Sequence, residues 1–433
     1  EELKQFIHAA HSRNIKVFFD IITNHTADII KYQECHGSEN LLKSTGQPHC
    51  EYKPTDTLAT DNYTPYIPQG EDKVKVPAWL NDSGVYHNQG DSNWEGESAV
   101  NGDFAGLDDL DTSQAEVVSG MTDIYKNIIS RFKPDGFRID TVKHVDMTFW
   151  QQFSPALMNY AKTQGIENFM MFGEVYSFDV SLLSQYINKA KLPSVLDFAF
   201  QGALESVLVK QEGTDVLAAL FAQDNLYHHE QGYDANDLVN FTGNHDMGRF
   251  AYKLKQSEFN YTDAQMTQRT QLAYAMIYFC RGVPVIYYGD EQGFVGDGGD
   301  QDSRQDMMPS FVASYNDDDL LATEKTTADD NFDPSHPLYN AFARYASLYQ
   351  QYPALRRGKQ SVLYGQSTPG LFAIAREYTD DNGVSQRIAV VFNTSDKPQN
   401  INLPQLDKEH LLYASDLGQG AMEGLSFRLY QLN

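Results

Sequence analysis

Residues Asp135 to His144 read DGFRIDTVKH, and the fold turns on how this stretch is punctuated. Its short apolar run ends on Asp140 and follows a helical pattern from about Gln114 to Phe132. A second helical pattern, Asp146 to Thr163, leads into NFMMFGEV, another apolar run, which carries Glu174 near its end. The chain opens the same way: Leu3, Phe6, Ile7 and Ala10 lie at helical spacing, Asn14 is a stop, and Ile15 to Ile22 is an apolar run. The grammar recurs in SVLDFAF, DLVNFTGNHD and GVPVIYYGDEQG. Strands buried on both faces read as unbroken apolar runs, so six of them separated by helices predict a parallel α/β sheet.

Two stretches depart from that rhythm. From Ala27 to Asp111 the chain is rich in Asn, Asp, Gly, Pro and Tyr, too long for a passive loop, and reads as a small inserted domain. After about Lys359 the runs alternate, with a DDNG turn at Asp380 to Gly383, and predict an antiparallel β-sandwich. The expected division is 1–26 with 112–357 as a (β/α) barrel, 27–111 as the insertion and 358–433 as the C-terminal domain.

The 33 Lys and Arg against 59 Asp and Glu leave a formal charge of −26 in 433 residues, which repels polyphosphates, so nucleic acid is not an expected partner. No apolar run has the roughly 18 residues of a membrane helix, and no membrane partner is expected. Cys35 and Cys50 lie close together in a polar segment and Cys280 stands alone in an apolar helical pattern. One disulfide with one buried thiol is the expectation; three reduced thiols are the alternative.

Acidic residues stand at the ends of the apolar runs: Asp20, Asp140, Glu174 and Asp246. In a barrel those ends open onto one face. Asp140 and Glu174 are 34 residues apart, about one βα unit, and Glu174 and Asp246 are 72 apart, about two. Carboxylates gathered at a barrel mouth serve metal binding or glycoside cleavage, which needs one carboxylate as nucleophile or base and one carboxylic acid. His25, His144 and His245 fall at three different strand ends, a spread suited to gripping hydroxyls more than to ligating one zinc.

FFDIITNHT, GLDDLD, GFRIDTVKH, FGEVY, FTGNHD and GVPVIYYGDEQG, in this order, resemble the signature regions of the alpha-amylase family, glycoside hydrolase family 13. The resemblance covers essentially the whole chain and implies a (β/α)8 TIM barrel with a domain inserted after the third strand. It also implies that about two βα units, roughly 60 residues, precede Glu1 in the natural protein. By the match, Asp140 is the nucleophile, Glu174 the general acid/base and Asp246 the third carboxylate of a retaining hydrolase of α-1,4-glucans, with the first two carboxyls about 5 Å apart. Arg138, on the same strand face as Asp140, supplies a balancing positive charge. Crowding by carboxylates is expected to keep Glu174 protonated.

His25 and His245 match histidines that hold the sugar at the cleavage point. Lys143 and His144 resemble the pair on the leaving-group side, and Asp300 and Arg304 of DQDSR resemble contacts to the neighbouring sugar. The resemblance also implies a structural Ca2+ held by Asn24, Asp109 and the main-chain carbonyl of His144; the fourth expected ligand falls on Gly96, with Glu95 and Glu97 on either side. Trp79 and Trp94 are the candidate sugar platforms, while Trp150, Met170 and Met171 read as core. The alternatives are a transglycosylase or an exo-acting α-glucosidase on the same scaffold, and a non-catalytic carbohydrate-binding subunit. Three intact carboxylates argue against the last. A monomer acting on α-glucan outside the cytoplasm, secreted or periplasmic, completes the expectation.

Overall fold

Helix α1, Glu2–His11, buries Ile7 and Ala10, and the chain reverses through Asn14, whose φ of 58° is left-handed, a conformation asparagine tolerates better than most residues. It then enters strand β1, Phe18–Ile21. In helix α2, Ala115–Phe132, the four-residue ladder Val117, Met121, Tyr125 and Ile129 is buried, and strand β2, Gly136–Ile139, follows. Helix α3, Met147–Thr163, buries Phe149, Trp150, Phe153, Leu157 and Ala161 and precedes strand β3, Met170–Gly173. Strand β4 is Ser194–Val195.

These strands form one parallel sheet in the order β1-β2-β3-β4, with Asp20 beside Arg138 and Arg138 beside Phe172. Its core lies under α2 and α3, where the Phe137 ring meets Tyr125 at 5.6 Å. Gly136 is required by close approach: a Cβ there would stand 2.1 Å from the Met170 carbonyl oxygen and 2.2 Å from the Phe18 ring.

This computed structural model describes residues 1–36, 50–404, 406, 410–416 and 420–432. It divides into two units, the first being Glu1–Tyr176 with Gln185–Val195 and the second Ser177–Ser184 with Leu196–Asn433. In the first unit the expected insertion is stitched by short antiparallel pairs, His25–Thr26 with Asp108–Asp109 and Lys31–Tyr32 with Pro65–Tyr66. A Cys35–Cys50 disulfide and a buried Lys75–Asp108 ion pair hold it further.

In the second unit, helix α4, Phe198–Leu204, precedes strand β5, Val239–Asn240, and helix α5, Asp263–Phe279, precedes strand β6, Val283–Pro284, which runs parallel to β5. Helix α5 starts at a reciprocal cap between Thr262 and Gln265 and is buried almost all round from Thr267 onward; Cys280, just past its end, is a buried free thiol. Helix α6 is Pro337–Gln351. Then come strands β7, Lys359–Tyr364, β8, Leu371–Thr379, β9, Ser385–Asn393, β10, Leu411–Ala414, and β11, Ser426–Gln431. They form an antiparallel sheet in the order β7-β8-β9-β11-β10. The DDNG turn joins β8 to β9, with Gly383 at φ 81°. Arg376 of β8, fully buried, donates to the Phe279 carbonyl at 2.9 Å and ties the sheet to α5.

Phe18, Ile22, Val283 and Val285 are all exposed. In the described residues β1 and β6 each have a hydrogen-bonded neighbour on one side only, so their flanking side chains lack the cover that a central strand enjoys. Among the described residues no helix is long and apolar enough to cross a membrane.

Candidate active site

Alternation along β2 puts Arg138 and Asp140 on one side of the strand, and the parallel register brings Asp20 and Glu174 alongside. The guanidinium of Arg138 collects all three carboxylates. Nη1 contacts Asp140 Oδ1 at 2.5 Å and Asp20 Oδ1 at 2.9 Å, while Nη2 lies 3.1 Å from Glu174 Oε2. Burial would weaken this cation, but Glu174, Asp20 and Asp140 outweigh it and raise its pKa above the ordinary value. Glu174 is 7% exposed, and its backbone N–H donates to the Ile139 carbonyl at 2.7 Å. After Asp140 the chain turns through Thr141 at φ 52° into a single 3-10 turn, Val142–His144. That turn presents Lys143, whose Nζ donates to the Tyr176 carbonyl at 3.2 Å.

An aromatic group gathers around His25 and His144. His25 stacks on Phe104 with centroids 4.9 Å apart, and Phe104 meets Trp94 edge-on at 4.7 Å and His144 at 5.2 Å. Burial lowers the His25 pKa to about 4, against the pull of Asp140 and with help from His144, so its imidazole is neutral at pH 7. Burial also lowers the His144 pKa, and Nδ1 of that ring donates to the Ala99 carbonyl at 2.6 Å. Trp94 is 46% exposed although it leans on both Phe104 and His144, and its backbone is left-handed at φ 68°, a strained conformation for a bulky residue. Trp79, the other candidate platform, packs on α2 instead. A Cβ on Gly120 would come within 2.4 Å of its ring.

The residues matched to calcium ligands leave acceptors open. Oδ1 of Asn24 and Oδ1 of Asp109 are both buried without a hydrogen-bond partner among the described residues, and burial raises the Asp109 carboxyl to about 7. Its other oxygen contacts His87 Nδ1 at 2.6 Å, while His87 Nε2 lies 3.3 Å from Asp111. Burial opposes charge on His87, yet these two carboxylates raise its pKa to about 10. Glu95 and Glu97, flanking Gly96, are exposed, and Glu97 accepts from the Thr55 N–H at 3.3 Å. The nearer buried acid is Asp103, which accepts from Tyr32 Oη at 2.6 Å and from the Asp109 N–H at 3.2 Å.

In the second unit Asp246 stands between His245 Nε2 at 3.2 Å and the Arg304 guanidinium, whose Nη2 lies at 3.2 Å. Arg304 also grips Asp300 at 2.8 Å, and the Asp300 N–H donates to the Asp246 carbonyl at 2.8 Å. Ser303 Oγ donates to the His245 carbonyl at 3.0 Å, so DQDSR docks along the loop that carries Asp246.

Each unit therefore assembles its own share of the expected residues: Asp140, Glu174, Arg138, His25, Lys143 and His144 in the first, Asp246, His245, Asp300 and Arg304 in the second. Asp20, Phe104 and His87 belong to these clusters without having been assigned a role. Asp20 was visible as a strand-end acid; a phenylalanine and a histidine inside an irregular segment carry no spacing signal.

The alpha amylase catalytic domain family matches residues 1–332 of the chain. The alpha-amylase of Streptomyces lividans is 43% identical over 412 residues, covering 92% of this chain and 44% of the relative, so the chain spans less than half of that protein's length. A cyclomaltodextrin glucanotransferase of Bacillus sp. (strain 6.6.3) is 26% identical over 359 residues, 82% of this chain and 40% of that one. Among solved structures, an Anoxybacillus alpha-amylase superposes with TM-score 0.69 at 23% identity over 99% of this chain and 78% of its own. The Geobacillus thermoleovorans alpha-amylase, solved with acarbose, gives TM-score 0.64 at 23% identity over 100% of this chain and 80% of its own. At those identities the likeness is one of fold, a TIM-barrel catalytic domain followed by a C-terminal antiparallel sheet domain. With the family match extending over residues 1–332 and the Streptomyces relative aligned to 92% of this chain at 43% identity, this chain belongs to the alpha-amylase family of glycoside hydrolases.

Proposed function

We propose that the chain cleaves α-1,4-glucosidic bonds of starch-like glucans and maltodextrins with retention of configuration. The observation that carries this reading is the single Arg138 guanidinium spanning Asp140 and Glu174, which sit at the ends of adjacent strands. A retaining pair needs its carboxyls roughly 5–5.5 Å apart, and contact of both with one shared guanidinium supports a closely spaced pair. Asp140, held by the cation, attacks the anomeric carbon as a carboxylate. Glu174 gives a proton to the departing glycosidic oxygen and, as the carboxylate, takes one from the water that releases the glycosyl-aspartate. Asp246, gripped by His245 and Arg304, takes the third carboxylate role by its place in FTGNHD.

Neutral His25 suits hydrogen bonding to a sugar hydroxyl, and the exposed Trp94 ring suits stacking on a pyranose face. Lys143, His144, Asp300 and Arg304 are assigned to flanking sugars by the motif match. Asn24, Asp109 and the His144 carbonyl would hold a structural Ca2+; the two orphaned, buried oxygens fit a hard cation, which supplies a clamp between strand end and insertion. The domain division follows the same reading: barrel 1–26 and 112–357, insertion 27–111, C-terminal domain 358–433. The Cys35–Cys50 disulfide supports a secreted or periplasmic location.

The glucanotransferase relative keeps a second reading open, in which a sugar hydroxyl replaces water as acceptor. Digestion of maltoheptaose separates the two. Short maltodextrins mean hydrolysis; elongated or cyclic products mean transfer. For the acid/base assignment, Glu174→Gln is expected to lose at least a hundredfold in kcat on soluble starch. Near-full turnover by that variant overturns the mechanism.

A further inference from the structure

Apart from the residues already assigned, the second unit contains another acidic cluster. Asp297, Asp317 and Asp318 each offer a carboxylate oxygen, all within 4.8 Å of one another. Asp318 is 4% exposed, and its Oδ2 is shut off from solvent with no hydrogen-bond partner among the described residues. That is unlike the other buried acids of this unit: Asp290 meets Arg249 at 2.8 Å, and Asp197 meets Arg281 at 2.5 Å. Basic side chains from nearby segments are committed elsewhere. Arg304 is engaged by Asp300 and Asp246, and Lys325 by Asp333 at 3.8 Å.

Three carboxylates this close, one of them buried, repel one another unless protons or a cation neutralise them. The position of Asp318 is nonetheless fixed by the backbone: the Asp318 N–H donates to Thr327 Oγ1 at 3.1 Å, and the Thr327 N–H donates to the Asp318 carbonyl at 3.0 Å. The Asp297 N–H donates to the Asp302 carbonyl at 3.2 Å, anchoring the other side. The buried Asp318 carboxyl, fixed by its main chain, thus lies within 4.8 Å of two more carboxylates and keeps one oxygen free of hydrogen bonds among the described residues. With neither His nor Cys in the set, the donors suit a hard cation and not zinc.

We propose that Asp297, Asp317 and Asp318 form a calcium-binding site, separate from Asn24 and Asp109. Its consequence is local. The ion would fasten residues 317–318 to the segment that begins at Asp297 and carries Asp300 and Arg304, and so would steady the Arg304 guanidinium against Asp246.

The test is the calcium content of the whole chain after equilibrium dialysis against buffered Ca2+, measured by mass spectrometry for wild type, Asp109→Asn, Asp318→Asn and Asp297→Ala, each checked for folding by its melting curve. We expect Asp318→Asn and Asp297→Ala each to hold one ion fewer than wild type, or to need at least tenfold more Ca2+ for the same occupancy, while Asp109→Asn retains the ion in question. Asp317→Asn, at an exposed position, provides the same reading if a buried substitution compromises folding. Calcium content and affinity equal to wild type in these cluster variants would overturn the proposal. If wild type and Asp109→Asn both hold one ion and Asp318→Asn none, the cluster is the site and the Asn24–Asp109 assignment falls instead.

Discussion

Replacing Arg138 with lysine tests the arrangement on which the proposed chemistry rests. The guanidinium reaches Asp140 at 2.5 Å, Asp20 at 2.9 Å and Glu174 at 3.1 Å, with a side chain only 12% exposed. A lysine keeps the positive charge, but its compact ammonium cannot span three acceptors arranged around a planar fork. Of these contacts, those to Asp140 and Asp20 are hydrogen bonds; a lysine that keeps one and loses the other, at about 1.5–3 kcal/mol for a hydrogen bond to a charged group, forfeits about 1.5–3 kcal/mol of positioning. Where that loss falls on the placement of the nucleophile, kcat drops by roughly one to two orders of magnitude, at about 1.4 kcal/mol per tenfold. Substrate binding through residues that do not touch Arg138 is left in place, so KM should move by no more than a few fold. The assay is steady-state hydrolysis of a chromogenic maltoheptaoside by wild type and Arg138→Lys, with melting curves to confirm that both are folded at the assay temperature. A folded variant within threefold of wild-type kcat would show that the shared cation does not organise the pair, and the reasoning would fail.

Chelation should lower the melting temperature through the Asn24–Asp109 site, and Asn24→Ala should shrink that shift; an unchanged melting curve in EDTA counts against a structural ion. His25 has a folded pKa of about 4, below its ordinary 6.5, so the unfolded chain takes up the proton first. The stability contributed by its neutral form is therefore present above pH 6.5 and lost progressively toward pH 4, and the acid-side decline in melting temperature should be shallower in His25→Gln, read by calorimetry across that range. Trp94→Ala should raise KM for maltodextrins about tenfold with little change in melting temperature, because the ring is half exposed and alanine meets the same left-handed backbone; an unaltered KM removes Trp94 from the binding surface.

Much of the fold was legible because it depends on near neighbours. The ladder Val117, Met121, Tyr125 and Ile129 forms the buried stripe of α2, and the DDNG turn forms its hairpin, since helical period and turn chemistry act over a few residues.

For the chemistry, the amino-acid order alone named the acids Asp140, Glu174 and Asp246 and their companions, through motifs whose spacing matches strand ends and through a resemblance that the family comparison bears out. Tertiary structure alone decided what each of them meets. It put Asp140, Glu174 and Asp20 on one guanidinium, laid His87 between Asp109 and Asp111, turned Trp79 into α2 while leaving Trp94 open, and buried an oxygen of Asp318 without a partner. The reason is one of distance along the chain. Periodicity reports on residues a turn or a strand apart, whereas desolvation and charge pairing are set by groups tens of residues away that only folding brings together.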